Sequence, residues 1–341
     1  MKIKFSIYLV SIVILFFFIT ELSFRLYFNE TNKLNCYEKV KDKRNYVNKK
    51  NCYFKEKYFE KKSATIYLTN NLGNRVGSIL NNKDLSSLAF VGDSFTYGYL
   101  SNYENTFPFN LVKEINKIEK FKNYKEINLG VNGYQFEQVL ELLKLDIPPI
   151  EKSDYIIYGL TPNDLFDIVE KKNNKIKFNK GYLDKLRSGI YDLNLTSVKF
   201  FSTLLLKSDK NYINIYHNRG NDSGYLNEMG SESWNYRYSY FKEKIASLPN
   251  RLKDKLVIVI IPQQIQVRLL KIGNEKDALS FDNKIKKICD QINIACVSIT
   301  KEFAEINNYI THYTLDGHLL PEANKSYGKL LTKKFYKLIN E

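Results

Sequence analysis

The sequence predicts an α/β protein built on a doubly wound, five-stranded parallel sheet, with an apolar helix ahead of it. Three observations carry this expectation. Short apolar runs alternate with longer segments at helical spacing between Leu88 and Ile339. One of these runs, Leu256 to Ile261, is apolar without a break, as a strand covered on both faces must be. Phe5 to Thr20 carries no charge and follows a basic Met1-Lys2-Ile3-Lys4 start. Strands separated by helices imply parallel pairing.

The bulk properties set limits. A chain of 341 residues, 44% hydrophobic, can bury a large core and is not a disordered polymer. The net charge of +15 permits an anionic partner. The lysines, however, are dispersed and mixed with Glu and Asp, without an Arg-rich block, so they read as a solvated surface and no nucleic-acid partner is expected. Of the four cysteines, none forms a C-x-x-C pair, and the three histidines do not fall at ligand spacing, so no metal site or cofactor is expected. Cys36 and Cys52 flank a polar segment and can pair outside the cytoplasm. Cys289 and Cys296 read as buried free thiols.

Residues 1–28 read as an uncleaved signal anchor or transmembrane helix, because no small-x-small cleavage site comes after the apolar run. Leu22 to Phe28 can extend it past Glu21. Lys2 and Lys4 favour a cytoplasmic N-terminus, whereas Arg25, Lys33, Lys39, Lys41 and Lys43 weigh against export of the chain beyond the helix. Residues 29–84 read as a stalk and accessory segment, with one short strand near Ser63 to Leu68 and a turn at Asn70 to Arg75. The main domain, 85–341, then gives a strand at Leu88–Gly92, a helix at Thr106–Glu119, a strand at Glu126–Gly130 and a helix at Gln135–Leu145. Strands at Asp154–Leu160, Lys255–Ile261 and Ile294–Ile299 come next, with helices at Asp277–Ile292 and Pro321–Ile339. An insertion at about 167–251 includes a loop at Lys171–Lys175, a helix at Leu193–Leu206 and a turn at Asn221–Gly224. Trp234, Tyr236, Tyr238 and Tyr240 precede a further helix there. The insertion reads either as surface elaboration or as a lid or aromatic platform for sugar rings.

Four stretches fall at carboxyl ends of strands or just before the last helix: Gly92-Asp93-Ser94, Asn128-Leu129-Gly130-Val131-Asn132-Gly133, Thr161-Pro162-Asn163-Asp164 and Asp316-Gly317-His318. In open α/β sheets this is the edge where ligands bind. Each stretch alone has a bland reading. Asp93 and Ser94 are good helix caps, a glycine turn is usually only a turn, and a lone histidine is usually structural. Taken together they supply a serine hydrolase. Ser94 is the nucleophile, His318 the general base and Asp316 the group that orients His318. The backbone N–H groups of Ser94 and Gly133 and the side-chain amide of Asn163 form the oxyanion hole, where one donor is typically worth roughly 3 kcal/mol of barrier. His312, close by in sequence, reads as structural.

The order and spacing of Ser94, Gly133, Asn163 and His318 resemble the SGNH (GDSL-type) hydrolases over about residues 64 to 340. The resemblance implies a flavodoxin-like three-layer α/β/α sandwich. In the family's familiar fourth block two residues separate Asp and His, whereas here only Gly317 does, and Phe95 replaces the familiar leucine after the serine. Thr69-Asn70-x-x-Gly73-x-Arg75, Thr106-Phe107-Pro108 and the apolar N-terminus with Glu21 and Arg25 resemble the membrane-anchored bacterial branch. That branch works mainly outside the cytoplasm, which is the ground for expecting export. The expectation is a cell-membrane, single-pass serine esterase or O-acyltransferase. It would act on small acyl, above all acetyl, esters of a surface glycan or lipid through an acyl-serine. In the transfer case a separate membrane protein would supply the acyl donor. The alternative is a non-catalytic glycan-binding or assembly protein on the same scaffold.

Overall fold

The apolar N-terminal run forms one continuous helix, α1 (Lys2–Phe28), in the computed structural model of the chain. Tyr8–Phe28 has a mean hydropathy of 2.1 in its most apolar window, only 6% of it buried by the rest of the chain. About 20 such residues suffice to cross a bilayer. The hydroxyls of Thr20 and Ser23 donate back to the carbonyls of Phe16 and Ile19, which hides them from an apolar surround. The structure describes residues 2–28, 36–77, 86–166, 168, 195–216, 232–306 and 310–340. The expected loop at 171–175, the turn at 221–224, the start of the 193–206 helix and the boundary at 84–85 lie outside these.

A β-hairpin, β1 (Tyr37–Lys39) and β2 (Tyr46–Asn48), comes next, succeeded by the antiparallel strands β3 (Tyr53–Glu56), β4 (Thr65–Thr69) and β5 (Arg75–Val76). Then come β6 (Ser87–Gly92), α2 (Ser94–Tyr97), α3 (Phe107–Ile115), β7 (Lys125–Asn128), α4 (Phe136–Lys144) and β8 (Tyr155–Leu160). The helices α5 (Thr196–Leu206), α6 (Asp209–Tyr216) and α7 (Glu232–Ala246) lead to β9 (Leu256–Ile260) and α8 (Gln264–Lys271). The chain ends with α9 (Ser280–Gln291), β10 (Ala295–Ser298), α10 (Thr300–Ile306) and α11 (Pro321–Leu338).

The sheet order is β10-β9-β8-β6-β7-β5-β4-β3. The first five strands are mutually parallel, as the apolar runs predict. The sheet is nevertheless eight-stranded, because the accessory segment adds β5, β4 and β3 antiparallel beyond β7. That segment is thus bonded into the sheet, not held off it as a stalk. Only β4 was legible as a strand, since β3 is too short and charged to show a period.

Alternate residues of the buried strands feed two cores. Ala89, Val91, Ile156, Tyr158, Ile258 and Ile260 face α4, α7 and α9. Leu88, Phe90, Ile157, Val257 and Val259 face α3, α10 and α11. The result is three layers. The aromatic cluster of the insertion differs from expectation. Trp234, Tyr238, Phe241, Ile245 and Leu248 recur at helical spacing and are all buried, so Trp234 and the tyrosines lie within α7, not ahead of it. Trp234 and Tyr238 are therefore core residues and not a platform for sugars. The helix expected at Thr106–Glu119 ends at Ile115 in favour of a short 3-10 turn, Glu119–Phe121.

Two cross-links tie the accessory segment down. Cys36 and Cys52 form a disulfide with Cα atoms 5.9 Å apart. Arg75 is fully buried and donates to the carbonyls of Tyr97, Gly98 and Ser101, its guanidinium lying 4.8 and 4.6 Å from the Tyr67 and Tyr97 ring centres. Arg75→Ala withdraws the charged donor from all three carbonyls, of which Gly98 alone keeps a bond, from the Ser101 N–H, and is expected to cost about 3–5 kcal/mol, read as a lower urea midpoint. Cys36→Ser with Cys52→Ser releases a short loop and is expected to cost about 3 kcal/mol by the same measurement, matched by wild-type protein in reductant.

Candidate active site

The strand order of the five parallel strands, β7-β6-β8-β9-β10, reverses direction between β6 and β8. That switch point is where a doubly wound sheet leaves a crevice at its carboxyl edge. β6 ends at Gly92 directly opposite Gly159 of β8, and Ser94 and Asn163 lie just beyond these two ends. Asp93 caps the next turn, its Oδ1 accepting from the Phe95 N–H at 2.9 Å. Ser94 is therefore the first residue of α2, where a backbone N–H has no partner within the helix.

His318 arrives from more than two hundred residues away. Its Nε2 lies 2.6 Å from Ser94 Oγ, and its Nδ1 lies 2.5 Å from Asp316 Oδ1. The one-residue spacing between Asp316 and His318 works because Gly317 sits at φ +84°, a left-handed conformation that reverses the chain within a single residue. The His318 backbone N–H also donates to Asp316 Oδ1 at 3.3 Å. The imidazole is held between two α2-region aromatics, with ring centres 4.8 Å from Phe95 and 4.9 Å from Tyr99. Phe95 thus packs His318, a role its sequence position did not reveal.

Asn163 is oriented from both ends. Its Nδ2 donates to Asp93 Oδ2 at 3.1 Å, while its Oδ1 accepts from Gln263 Nε2 at 2.5 Å and from the Thr161 hydroxyl at 2.6 Å. An amide nitrogen carries two hydrogens, so one remains for a ligand. Gln263 was missed in the sequence. It stands at the cap of α8, a helix with no clear advance signal. Gly133 lies on the turn after β7. Val131 N–H donates to the Gly92 carbonyl at 3.1 Å, and the Tyr46 hydroxyl donates to the Asn132 carbonyl at 3.1 Å, which fixes that turn at the same sheet edge. Gly133 itself has φ +84°, and a Cβ there would meet Tyr46 Oη at 2.8 Å.

The accessory segment supports His318. Tyr99 donates to Glu56 Oε1 at 2.7 Å, and the Glu60 carboxylate accepts from the backbone N–H groups of Thr314 and Leu315, at the start of the His318 loop. His312 takes no part. It is buried with Nε2 on the Pro262 carbonyl and Nδ1 on the Thr311 hydroxyl, and burial holds it at about 3, so it stays neutral.

Two carboxyls are buried together beneath the site. Burial, then the neighbouring Asp93, pushes Asp164 well above the usual carboxylate range. Burial raises Asp93 as well, opposed chiefly by the Asn163 amide and the Phe95 N–H. Asp93 keeps these donors and is the ionised member, while Asp164 carries the proton. A carboxyl whose folded pKa is raised contributes stability below its unfolded value, about 3.8, and that contribution is lost as pH rises toward the folded value. Asp164→Asn, which is neutral throughout, escapes this loss. The urea midpoint of the variant is expected to gain on wild type as pH increases from about 5 to about 8. A gap that does not change with pH would contradict the assignment of the proton.

No family model matches the sequence, and no curated protein matches it. Solved structures do. They include a catalytic mutant of an acetylxylan esterase from Geobacillus stearothermophilus, at 12% identity, 76% coverage of this chain and 97% of that one, TM-score 0.43. A lipase/acylhydrolase from Enterococcus faecalis is 14% identical, with coverage of 74% and 96% and a TM-score of 0.42. A member of the lipolytic G-D-S-L family from Veillonella parvula is 13% identical, with coverage of 73% and 98% and a TM-score of 0.38. These neighbours are GDSL-type lipolytic hydrolases and acetyl xylan esterases.

Proposed function

We propose that the chain is a membrane-anchored serine esterase or O-acyltransferase that acts outside the cytoplasm on small acyl, above all acetyl, esters of a surface glycan or lipid. The observation that carries this reading is the contact of His318 Nε2 with Ser94 Oγ, backed by Asp316 on Nδ1.

The chemistry is set by that geometry. His318 Nε2 takes the Ser94 proton as Oγ attacks the ester carbonyl, and the Asp316 carboxylate stabilises the imidazolium that results. The oxyanion meets the Ser94 and Gly133 N–H groups and the remaining Asn163 amide hydrogen. Collapse of the tetrahedral intermediate expels the alcohol, which takes the proton from His318. The acyl group then rests on Ser94. Water, activated by the same histidine, completes hydrolysis; a sugar hydroxyl in its place completes transfer. In the transfer case the acyl donor comes from a separate membrane protein. Neither cycle uses a metal or cofactor.

Three features support the setting. The helix α1 is long and apolar enough to span. The Cys36–Cys52 disulfide suits an oxidising compartment. The basic start at Lys2 and Lys4 suits a cytoplasmic N-terminus.

Ser94→Ala is expected to abolish hydrolysis of a chromogenic acetyl ester. Asp316→Asn, which fixes the wrong tautomer of His318, is expected to lower kcat on the order of 10³–10⁴-fold. Full activity in Ser94→Ala would overturn the assignment. Labelling by a fluorophosphonate probe separates the rival reading, because a folded protein whose Ser94 fails to react would be a binding protein on this scaffold.

A further inference from the structure

Glu21 is the first acidic residue of α1, and it lies inside the span, seven residues before its end. At 1.5 Å per residue it sits about 10 Å below Phe28 along the helix. An ionisable group at such a depth requires a partner. Glu21 is buried, and its carboxylate accepts from the backbone N–H groups of Thr196 and Ser197 at 2.9 and 3.0 Å and from the Ser197 hydroxyl at 2.6 Å. These are the first N–H groups of α5, so a residue of the spanning helix caps another helix. Arg25 adds a 2.7 Å bond to the same carboxylate.

The two helices run alongside one another from that point. Phe24 lies 5.0 and 6.0 Å from Phe200 and Phe201, and Phe28 lies 5.7 Å from Phe200, ring centre to ring centre. Phe200 meets both Phe24 and Phe28, so α5 packs against the last two turns of α1. One side of α5 is buried through Thr196, Ser197, Thr203 and Leu206. The other side presents Phe201, Leu204 and Leu205, at i, i+3 and i+4, exposed by 59%, 47% and 56%. Three large apolar side chains on one face of an eleven-residue helix with a single lysine are costly in water. Beneath the end of α1 a cavity of about 600 Å³ opens beside this helix, lined by Phe28, Phe59, Lys57, Lys62 and Lys207 and backed by Tyr313 of the His318 loop. Cations at the level where an apolar helix leaves the bilayer favour anionic headgroups.

We propose that α5 is a membrane-embedded interfacial helix, its Phe201–Leu204–Leu205 face immersed in the lipid bilayer beside α1, so that the catalytic domain is seated on the membrane and not merely tethered to it. This rests on the reading of α1 as a membrane span. Glu21 fixes the depth of α5, and the lysines at the cavity meet the headgroups. The His318 loop is thereby held one layer from the lipid surface, which places the site within reach of esters carried on membrane-borne molecules.

The test uses the full chain reconstituted in vesicles of zwitterionic and anionic phospholipid, with or without brominated acyl chains, which quench tryptophan at short range. Trp234, the sole native tryptophan, is fully buried in the sheet core and supplies the baseline. Leu204→Trp and, independently, Phe201→Trp are expected to show a blue-shifted emission in vesicles and a loss of fluorescence with brominated lipid that wild type lacks. If both variants float with the vesicles, resist carbonate extraction and show no added quenching, the face is in water or covered by protein. The proposal then fails while the membrane span stands. If the chain is released by carbonate, the span itself fails, and the proposal with it.

Discussion

The Asp93 carboxylate is the contact on which the rest of the site depends. One oxygen caps α2 and so sets the position of Ser94; the other accepts from Asn163 and lies 3.2 Å from the Thr161 hydroxyl. A single buried charge thereby joins the ends of β6 and β8 across the switch point of the sheet. An ionised carboxylate is tolerated there because donors surround it, and because its neighbour Asp164 gives up its own charge. Low dielectric strengthens each of these bonds and makes any lost partner expensive. Ser94 and Asn163 are accordingly positioned by one network and not by two independent loops.

The N-terminal segment is a structural part of this site. Arg75 holds the loop after α2 through three carbonyls, Glu56 holds Tyr99, and Glu60 holds the loop that brings His318. Tyr46 and Asn48 reach the turn before Gly133, Asn48 through the Gly130 carbonyl at 3.0 Å. All four blocks are thus buttressed directly or at one remove by the disulfide-closed region between α1 and β6. At its other end, α1 is tied by Glu21 to α5. The apolar N-terminal helix, the accessory strands and the loops at the sheet's carboxyl edge form a continuous set of contacts.

Much of the architecture was legible because burial leaves a period in the sequence. Leu256 to Ile261 could only be a strand covered on both faces, and Leu111, Ile115, Val139 and Leu143 mark helix faces that do pack on the sheet. What failed lacked such a period. β3 and β5 are short and carry polar residues that face buried partners, so Glu56 reads as part of a stalk and Arg75 as part of a turn, although both are buried. The aromatic cluster at Trp234 has a helical period, but its density of tyrosines suggests surface elaboration or a sugar platform instead of a core.

The sequence by itself determined the chemistry on offer: a serine after a buried strand, an Asp-Gly-His ahead of the last helix, an asparagine and a glycine turn at other strand ends, and an apolar N-terminus. These are local facts of composition and spacing. Only the tertiary structure decided that they meet, because the 2.6 Å contact between His318 and Ser94 depends on strand order, on the left-handed turn at Gly317 and on Phe95 and Tyr99 gripping the imidazole. It alone also showed that Asp93 is a connector and that Glu21 caps α5. Each joins residues far apart in the chain, and long-range pairing leaves no period for a sequence to display.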